Sequence, residues 1–153
     1  MAISQAHLLL LLLVSLFFLP SLPATSVSYC DKKGKYPVQV NGVKISPDPV
    51  LSGQPATFKI LGSSSEDISG GEVEISVSYF GIHVHTETHD LCEETSCPVS
   101  TGSFVLSHTQ TLPSFTPPGS YTLRMTMSDT KGKKLTCISF GFKIALRASV
   151  SDI

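Results

Sequence analysis

The sequence contains no tryptophan, a single asparagine and almost no net charge. Its 153 residues include 11 Lys and Arg against 12 Asp and Glu, so the formal net charge at pH 7 is -1. A chain this close to neutrality has no electrostatic attraction for a phosphate backbone, and no nucleic-acid partner is expected. Asn41 is followed by Gly-Val, which excludes an N-glycosylation sequon.

Long hydrophobic runs are equally scarce, and the clear one lies near the amino terminus. Residues 8–19 are apolar apart from one serine, and a proline ends the run. This run is too short for a membrane span but suits the apolar region of a signal peptide. We therefore expect residues 1–26 to be a cleaved signal peptide, with cleavage after Ser26 or after Ala24; an uncleaved anchor is the alternative. Residues 27–153 would then form one domain.

Signals for helices are also few, whereas signals for strands are frequent. Ten prolines and eleven glycines separate short runs of β-branched residues, a spacing typical of a β-sandwich or barrel. Alternation of apolar and polar residues predicts strands. The clearest are residues 72–80, 121–128 and 134–144, and weaker ones are 37–45, 56–61 and 103–111.

One glycine interrupts the first of these strands. Gly81 predicts a bulge or bend, after which Ile82 and Val84 would continue the buried face, with His83 and His85 on the exposed face. The whole pattern predicts an all-β protein, an immunoglobulin-like β-sandwich of about seven strands in two sheets. Because tryptophan is absent, the Cys-Trp-Cys core of true immunoglobulin domains is excluded.

Only four cysteines are present, and behind a secretion signal they indicate disulfides in preference to a metal site. Four cysteines allow three pairings. Cys92 and Cys97 are close in sequence and would staple a surface loop, which leaves Cys30 to pair with Cys137. The long bridge would close a loop of about 108 residues, worth about 4–5 kcal/mol in the chain-entropy model.

Several short motifs resemble those of a known family. They are YC at 29–30, YFG at 79–81, THDLC at 88–92, CP at 97–98, QTLP at 110–113, PPGSY at 117–121 and Cys137. Through them residues 27–144 resemble the ML (lipid-recognition) family, especially plant and fungal-type phosphatidylglycerol/phosphatidylinositol transfer proteins and their relatives, the Niemann–Pick cholesterol carriers. The resemblance implies an immunoglobulin-like sandwich that holds a lipid between its sheets, with no cofactor besides that cargo.

The resemblance makes the inward-facing apolar residues candidates for the lining of a lipid cavity, whereas an ordinary packed core is the alternative. The candidate lipid-binding residues are Phe58, Ile60, Val77, Tyr79, Phe104, Phe115, Tyr121, Leu123, Met125, Met127, Phe140 and Phe142. Phe115 lies in a proline-rich loop, residues 112–119. We expect this loop to be either a rigid turn or a cavity rim that touches membranes.

The remaining polar residues give weaker signals. His83, His85 and His89 invite a metal or pH-sensing interpretation, but solvated surface histidines explain them more simply, and no metal ligand is predicted. Glu93 and Glu94 are expected in a solvated turn. Neither a G-x-S-x-G elbow nor an H-E-x-x-H motif occurs, so no catalytic residue and no enzyme activity are expected.

Together these observations predict a noncatalytic, monomeric protein of the secretory pathway. It would bind and transfer a sterol or a phospholipid and contact membranes transiently. It would be secreted, or reside in the lumen of the vacuole or endosomes. The alternative is an extracellular immunoglobulin-like recognition module with a solid core.

Overall fold

A computed structural model describes residues 4–17 and 25–146 of the chain. A helix, α1 (Gln5–Phe17), precedes an all-β domain, and a one-turn helix, α2 (Leu91–Glu94), interrupts it. The strands are β1 (Ser28–Tyr29), β2 (Val38–Ser46), β3 (Val50–Leu51), β4 (Pro55–Ser64), β5 (Gly71–Tyr79), β6 (Ile82–Asp90), β7 (Gly102–Thr111), β8 (Gly119–Asp129) and β9 (Lys134–Ala145). Within the described ranges, no helix has the length and apolar character needed to cross a membrane.

Two expectations concern parts of the chain outside this description. The alternative cleavage position after Ala24 and the predicted end of the domain, residues 147–153, lie outside the described residues. Cleavage after Ser26, and the signal peptide as such, therefore stay predictions.

The strands form two sheets that pack face to face. The larger sheet has the order β1-β9-β8-β5-β6, with β3 added in parallel against β9, and the smaller sheet has the order β2-β4-β7. Because β1 and β3 have two residues each, seven long strands build the sandwich in the described part of the chain. The predicted all-β sandwich in two sheets is confirmed.

Alternation explains why the central strands of the larger sheet lie where they do. In β8 every second residue from Tyr121 to Met127 is buried, and the residues between them are partly or fully exposed. The Asp129 carbonyl accepts a hydrogen bond of 3.0 Å from Gly132 N–H, and Gly132 has a φ of 81°, so the chain reverses into β9. This reversal is the hairpin that the Asp-Thr-Lys-Gly sequence predicts.

The structure corrects the expectation for Gly81. The chain does not bend and continue; it reverses in a two-residue hairpin turn that pairs Tyr79 with Ile82. Phe80 and Gly81 have φ angles of 50° and 78°, the left-handed conformation that tight hairpin turns need. Ile82 consequently starts a new edge strand and is 69% exposed.

A bulge in β6 overturns the predicted face of His85 but not that of His83. Val77 pairs with His85 and Ser78 pairs with His83, so Val84 is an extra residue between them. One inserted residue exchanges the two faces of a strand, because side chains alternate with a period of two. His83 therefore lies on the outer face, His85 lies on the inner face, and Val84 is 52% exposed.

Both predicted disulfides are confirmed. Cys30 pairs with Cys137 across 107 residues, and Cys92 pairs with Cys97 across five. The first bridge fixes the segment around β1 to β9, where the Cys30 N–H also donates to the Cys137 carbonyl over 2.9 Å. The second bridge holds α2 in a tight loop between β6 and β7.

Candidate functional site

A cavity of about 500 Å³ lies between the two sheets, at the end of the sandwich where β5 turns into β6. Pockets of this size are typical of small-molecule sites. Apolar residues dominate its lining, which consists of Phe58, Ile75, Val77, Tyr79, Val84, His85, His108, Gln110, Thr111, Leu112, Pro113, Phe115, Thr116, Pro117, Tyr121, Leu123, Phe142 and Ile144.

Stacked and edge-on aromatic rings form one wall of the cavity. The ring centroids of Tyr79 and Tyr121 are 4.5 Å apart, and those of Tyr121 and Phe142 are 5.6 Å apart, both stacked. Phe58, from the smaller sheet, meets Phe142 edge-on at 5.3 Å. Register produces this wall, because Tyr79, Tyr121 and Phe142 are neighbours across β5, β8 and β9.

The two tyrosines also hold the loop that closes one side of the cavity mouth. Tyr121 Oη donates to the Pro117 carbonyl over 2.7 Å, and Tyr79 Oη donates to the Pro118 carbonyl over 3.0 Å. Burial, together with the neighbouring Tyr79, raises the pKa of Tyr121, so the phenol stays a donor. Gly119 has a φ of 139°, and a Cβ there would lie 3.1 Å from the Tyr79 ring.

The structure places seven of the twelve predicted lipid-binding residues in the lining: Phe58, Val77, Tyr79, Phe115, Tyr121, Leu123 and Phe142. The other five, Ile60, Phe104, Met125, Met127 and Phe140, are absent from it and belong to or pack against the hydrophobic core. These five therefore lie outside the cavity lining, and their contact with lipid stays a prediction.

Position along the strands explains the difference. On β8, Leu123 lies near the open end and borders the cavity, whereas Met125 and Met127 lie further along and are 1% and 0% exposed. Met127 is paired with Val73, deep in the half of the sandwich that the core fills. Residues that share one face of a strand thus divide between cavity and core.

Exposed apolar side chains surround the mouth of the cavity. Phe115, from the 112–118 loop, is 85% exposed, and Phe80, at the β5–β6 turn, is 75% exposed. Ile82 and Val84 follow at the start of β6 and are also exposed. The Phe80 ring packs at 4.4 Å on Tyr79, whose hydroxyl bonds the proline-rich loop, so the two loops form one surface. We call Phe80, Ile82, Val84 and Phe115 the apolar rim.

A cluster of charged side chains lies beside the cavity, between β6 and β7. His108 on β7 is only 5% exposed, and its Nδ1–H donates to Glu94 Oε1 over 2.9 Å. Glu87 Oε1 lies 3.0 Å from His108 Nε2 and 3.2 Å from His89 Nε2, while His85 Nε2–H donates to Glu87 Oε2 over 3.2 Å. Burial alone would raise the pKa of Glu87, but the contacts with His85, His89 and His108 together hold it below its usual range.

Local structure explains how these residues meet. Past the bulge at Val84, the inner face of β6 carries His85, Glu87 and His89, and His89 pairs with the buried Val73. Asp90 caps α2 by accepting from the Cys92 N–H over 2.8 Å, and the one-turn helix aims Glu94 back at the cluster. The expectation of a solvated turn is thus wrong for Glu94, whose side chain is 9% exposed.

Sequence reasoning missed most of this cluster. His85 and His89 stood out as histidines, but Glu87 and His108 belonged to no motif. The alternation of β7 offered a signal, because His108 shares the inward face with Leu106. The charged partners of His108 come from another sheet and from α2, so their meeting is a tertiary property.

The fold and the site define a class: a disulfide-bonded β-sandwich with an apolar cavity open at one end between its sheets. The family model described as the ML domain matches residues 24–144, and the chain belongs to this family. The MD-2-related lipid-recognition protein ROSY1 of Arabidopsis thaliana is 39% identical over 158 residues, which cover 98% of this chain and 96% of the relative.

Two further likenesses agree with this membership. A phosphatidylglycerol/phosphatidylinositol transfer protein of Aspergillus fumigatus is 32% identical over 116 residues, covering 72% of this chain and 66% of the relative. The crystal structure of a Niemann-Pick type C2 protein from the Japanese carpenter ant superposes with a TM-score of 0.63 at 18% identity, covering 78% of this chain and 99% of that one. The predicted resemblance to the ML family is confirmed.

Proposed function

We infer that this protein is a noncatalytic carrier of the secretory pathway that binds one phospholipid and transfers it between membranes. The observation that carries the inference is the apolar cavity of about 500 Å³ at the open end of the sandwich. The acyl chains would occupy the cavity, and the polar head would remain at the mouth. A sterol is the second candidate cargo, because the cavity wall is aromatic and offers few polar partners.

The driving force for binding is removal of apolar surface from water. Each methylene buried contributes ~0.8 kcal/mol, so a chain of about ten methylenes gains about 8 kcal/mol before the cost of ordering the lipid. Stacked rings and prolines provide a stiff wall for the chain. The relative named a phosphatidylglycerol/phosphatidylinositol transfer protein supports a phospholipid as the first choice.

The apolar rim supports a transient membrane contact. Phe80 holds a φ of 50°, a conformation that costs a non-glycine residue about 1–2 kcal/mol, and its ring is 75% exposed. Exposed apolar side chains around a cavity mouth are typical of a surface that meets lipid. On contact, the rim would enter the interface and open a path from the cavity into the bilayer.

The first experiment identifies the cargo. The protein is purified from a secretory host and its native mass is measured before and after extraction with organic solvent. We expect an excess mass that extraction removes and that resolves into a phospholipid; resolution into a sterol would select the second candidate. A clean mass with no uptake from mixed liposomes would refute the carrier function and favour a recognition module.

The second experiment tests the rim separately from the cavity. Phe115→Ser should lower the rate of lipid transfer between vesicles several-fold, because less apolar surface enters the bilayer. The matched control is Val105→Ser, because Val105 is also exposed, at 47%, but lies on β7 outside the cavity lining. Equal transfer by wild type and Phe115→Ser would contradict a role for the rim.

A further inference from the structure

We propose that Glu87, His89 and His108 form a zinc site that joins the two sheets beside the cavity. One ligand atom from each residue lies within 4.8 Å of the other two. Glu87 Oε1 is 3.0 Å from His108 Nε2 and 3.2 Å from His89 Nε2. Tetrahedral zinc with bonds of about 2.0–2.1 Å spaces its ligand atoms about 3.3 Å apart, so these two pairs need to move by only a few tenths of an ångström. The third pair, His89 with His108, lies within 4.8 Å and would close by at most about 1.5 Å.

Among the residues that the structure describes, two of the three ligand atoms make no hydrogen bond. Glu87 Oε1 and His89 Nε2 are buried, and their close contacts have no hydrogen-bond geometry. Buried polar atoms are almost always hydrogen-bonded, because removing them from water without a partner is costly. Two such atoms that face the same small space are explained by a cation between them.

The surrounding residues orient the ligands as metal sites require. Glu94 Oε1 accepts from His108 Nδ1 over 2.9 Å, which directs His108 Nε2 toward Glu87, and it lies 3.8 Å from His89 Nδ1, beyond hydrogen-bond distance. His85 Nε2–H donates a hydrogen bond to the other carboxylate oxygen of Glu87, Oε2. A histidine ligand whose second nitrogen donates to a carboxylate is the usual arrangement at zinc.

The donor set selects the metal. Two imidazoles and one carboxylate suit zinc, whereas calcium and magnesium prefer oxygen ligands. Three protein ligands leave a fourth position for water. Gln110 Oε1, 3.3 Å from His108 Nε2, places a further polar group at the edge of the same space.

The position of the site in the fold indicates a structural role for the zinc ion. Glu87 and His89 lie on β6, the edge of the larger sheet, and His108 lies on β7, the edge of the smaller sheet. Among the residues that the structure describes, these two edge strands share no backbone ladder. A zinc ion would therefore clamp the side of the sandwich next to the cavity. This assignment replaces the expectation that the chain has no metal ligand.

The test uses the protein without an affinity tag, purified from a secretory host, stripped with EDTA and verified as zinc-free. Titration with zinc chloride by calorimetry, and equilibrium dialysis followed by elemental analysis, should give one zinc ion per chain. His89→Ala should abolish stoichiometric binding. Glu87→Gln provides a second variant of nearly the same shape, so that a folding defect in one variant leaves the other informative. Glu94→Gln should weaken zinc about 10- to 100-fold.

His83→Ala is the matched control, because His83 lies on the outer face of the same strand, away from the cluster. It should bind zinc as the wild type does, and zinc should raise the melting temperature of both but not that of His89→Ala. The proposal is overturned if the zinc-free wild type takes up no zinc, if His89→Ala and Glu87→Gln bind it unchanged, or if His83→Ala loses it equally. The titration involves no lipid, so its result is independent of the proposed cargo.

Discussion

Val77→Trp tests the cavity most directly. Val77 lies on β5, is half-buried, and borders the cavity beside Leu123, its register partner on β8. An indole in place of the isopropyl group adds about seven heavy atoms, and we assume that half of them enter the cavity. About three methylenes of the cargo then lose their place, which at ~0.8 kcal/mol each weakens binding by about 2.4 kcal/mol. That loss corresponds to about a 60-fold higher Kd.

The same substitution provides its own readout. Because the chain has no tryptophan, the introduced indole is the sole source of tryptophan emission. Displacement of a fluorescent phospholipid analogue measures the Kd, and brominated lipid should quench the indole if it lies in the cavity. Circular dichroism confirms that the variant is folded.

Glu74→Trp is the control, since Glu74 lies on the exposed face of the same strand. Its lipid affinity should equal that of the wild type, and brominated lipid bound in the cavity should leave its emission unchanged. A folded Val77→Trp variant with unchanged lipid stoichiometry and Kd would refute the argument, because the cargo would then lie elsewhere.

Three further outcomes follow from the packing. Met125→Ala should lower the free energy of unfolding by about 2–5 kcal/mol in denaturant titrations while leaving the lipid Kd unchanged, because Met125 is 1% exposed and outside the cavity. Replacing both Cys30 and Cys137 with serine should lower the free energy of unfolding by about 4–5 kcal/mol, because the bridge spans 107 residues. A loss below about 1 kcal/mol would contradict this estimate. Gly119→Ala should cost about 1–3 kcal/mol in thermal unfolding, since its Cβ would meet the Tyr79 ring and its φ is 139°.

The strands were predictable because alternation is a local signal. The disulfides were predictable because four cysteines allow few pairings. Alternation in β5, β8 and β9 needs only the sequence and a period of two, and the observed strands match the predicted ones within a few residues. The pairing of four cysteines followed from the closeness of Cys92 and Cys97, which the structure confirms. The motif set at 79–81, 88–92 and 117–121 gave the family.

The bulge and the charged cluster could not be predicted in the same way. In the run from Ile82 to His89, a single extra residue at Val84 reverses which side chains face inward, and only pairing with β5 locates it. Likewise, whether an inward-facing residue of β8 lines the cavity or belongs to the core depends on where side chains of the opposing sheet fill the space between the sheets. Leu123 and Met125 show the same local alternation in sequence. They differ in their distance from the open end of the sandwich, and Leu123 lines the cavity.

The hydrogen bond between Tyr79 and the Pro118 carbonyl has a kinetic consequence for lipid transfer. It joins the proline-rich loop to the β5–β6 hairpin, so in the proposed function both parts of the apolar rim would reach a membrane in the same encounter, with the mouth facing the bilayer. A lipid that leaves in this position passes from cavity to membrane without crossing bulk water. Transfer should then be collisional. Its rate should rise in proportion to the concentration of acceptor vesicles, and slow spontaneous release of lipid into water should not limit that rate.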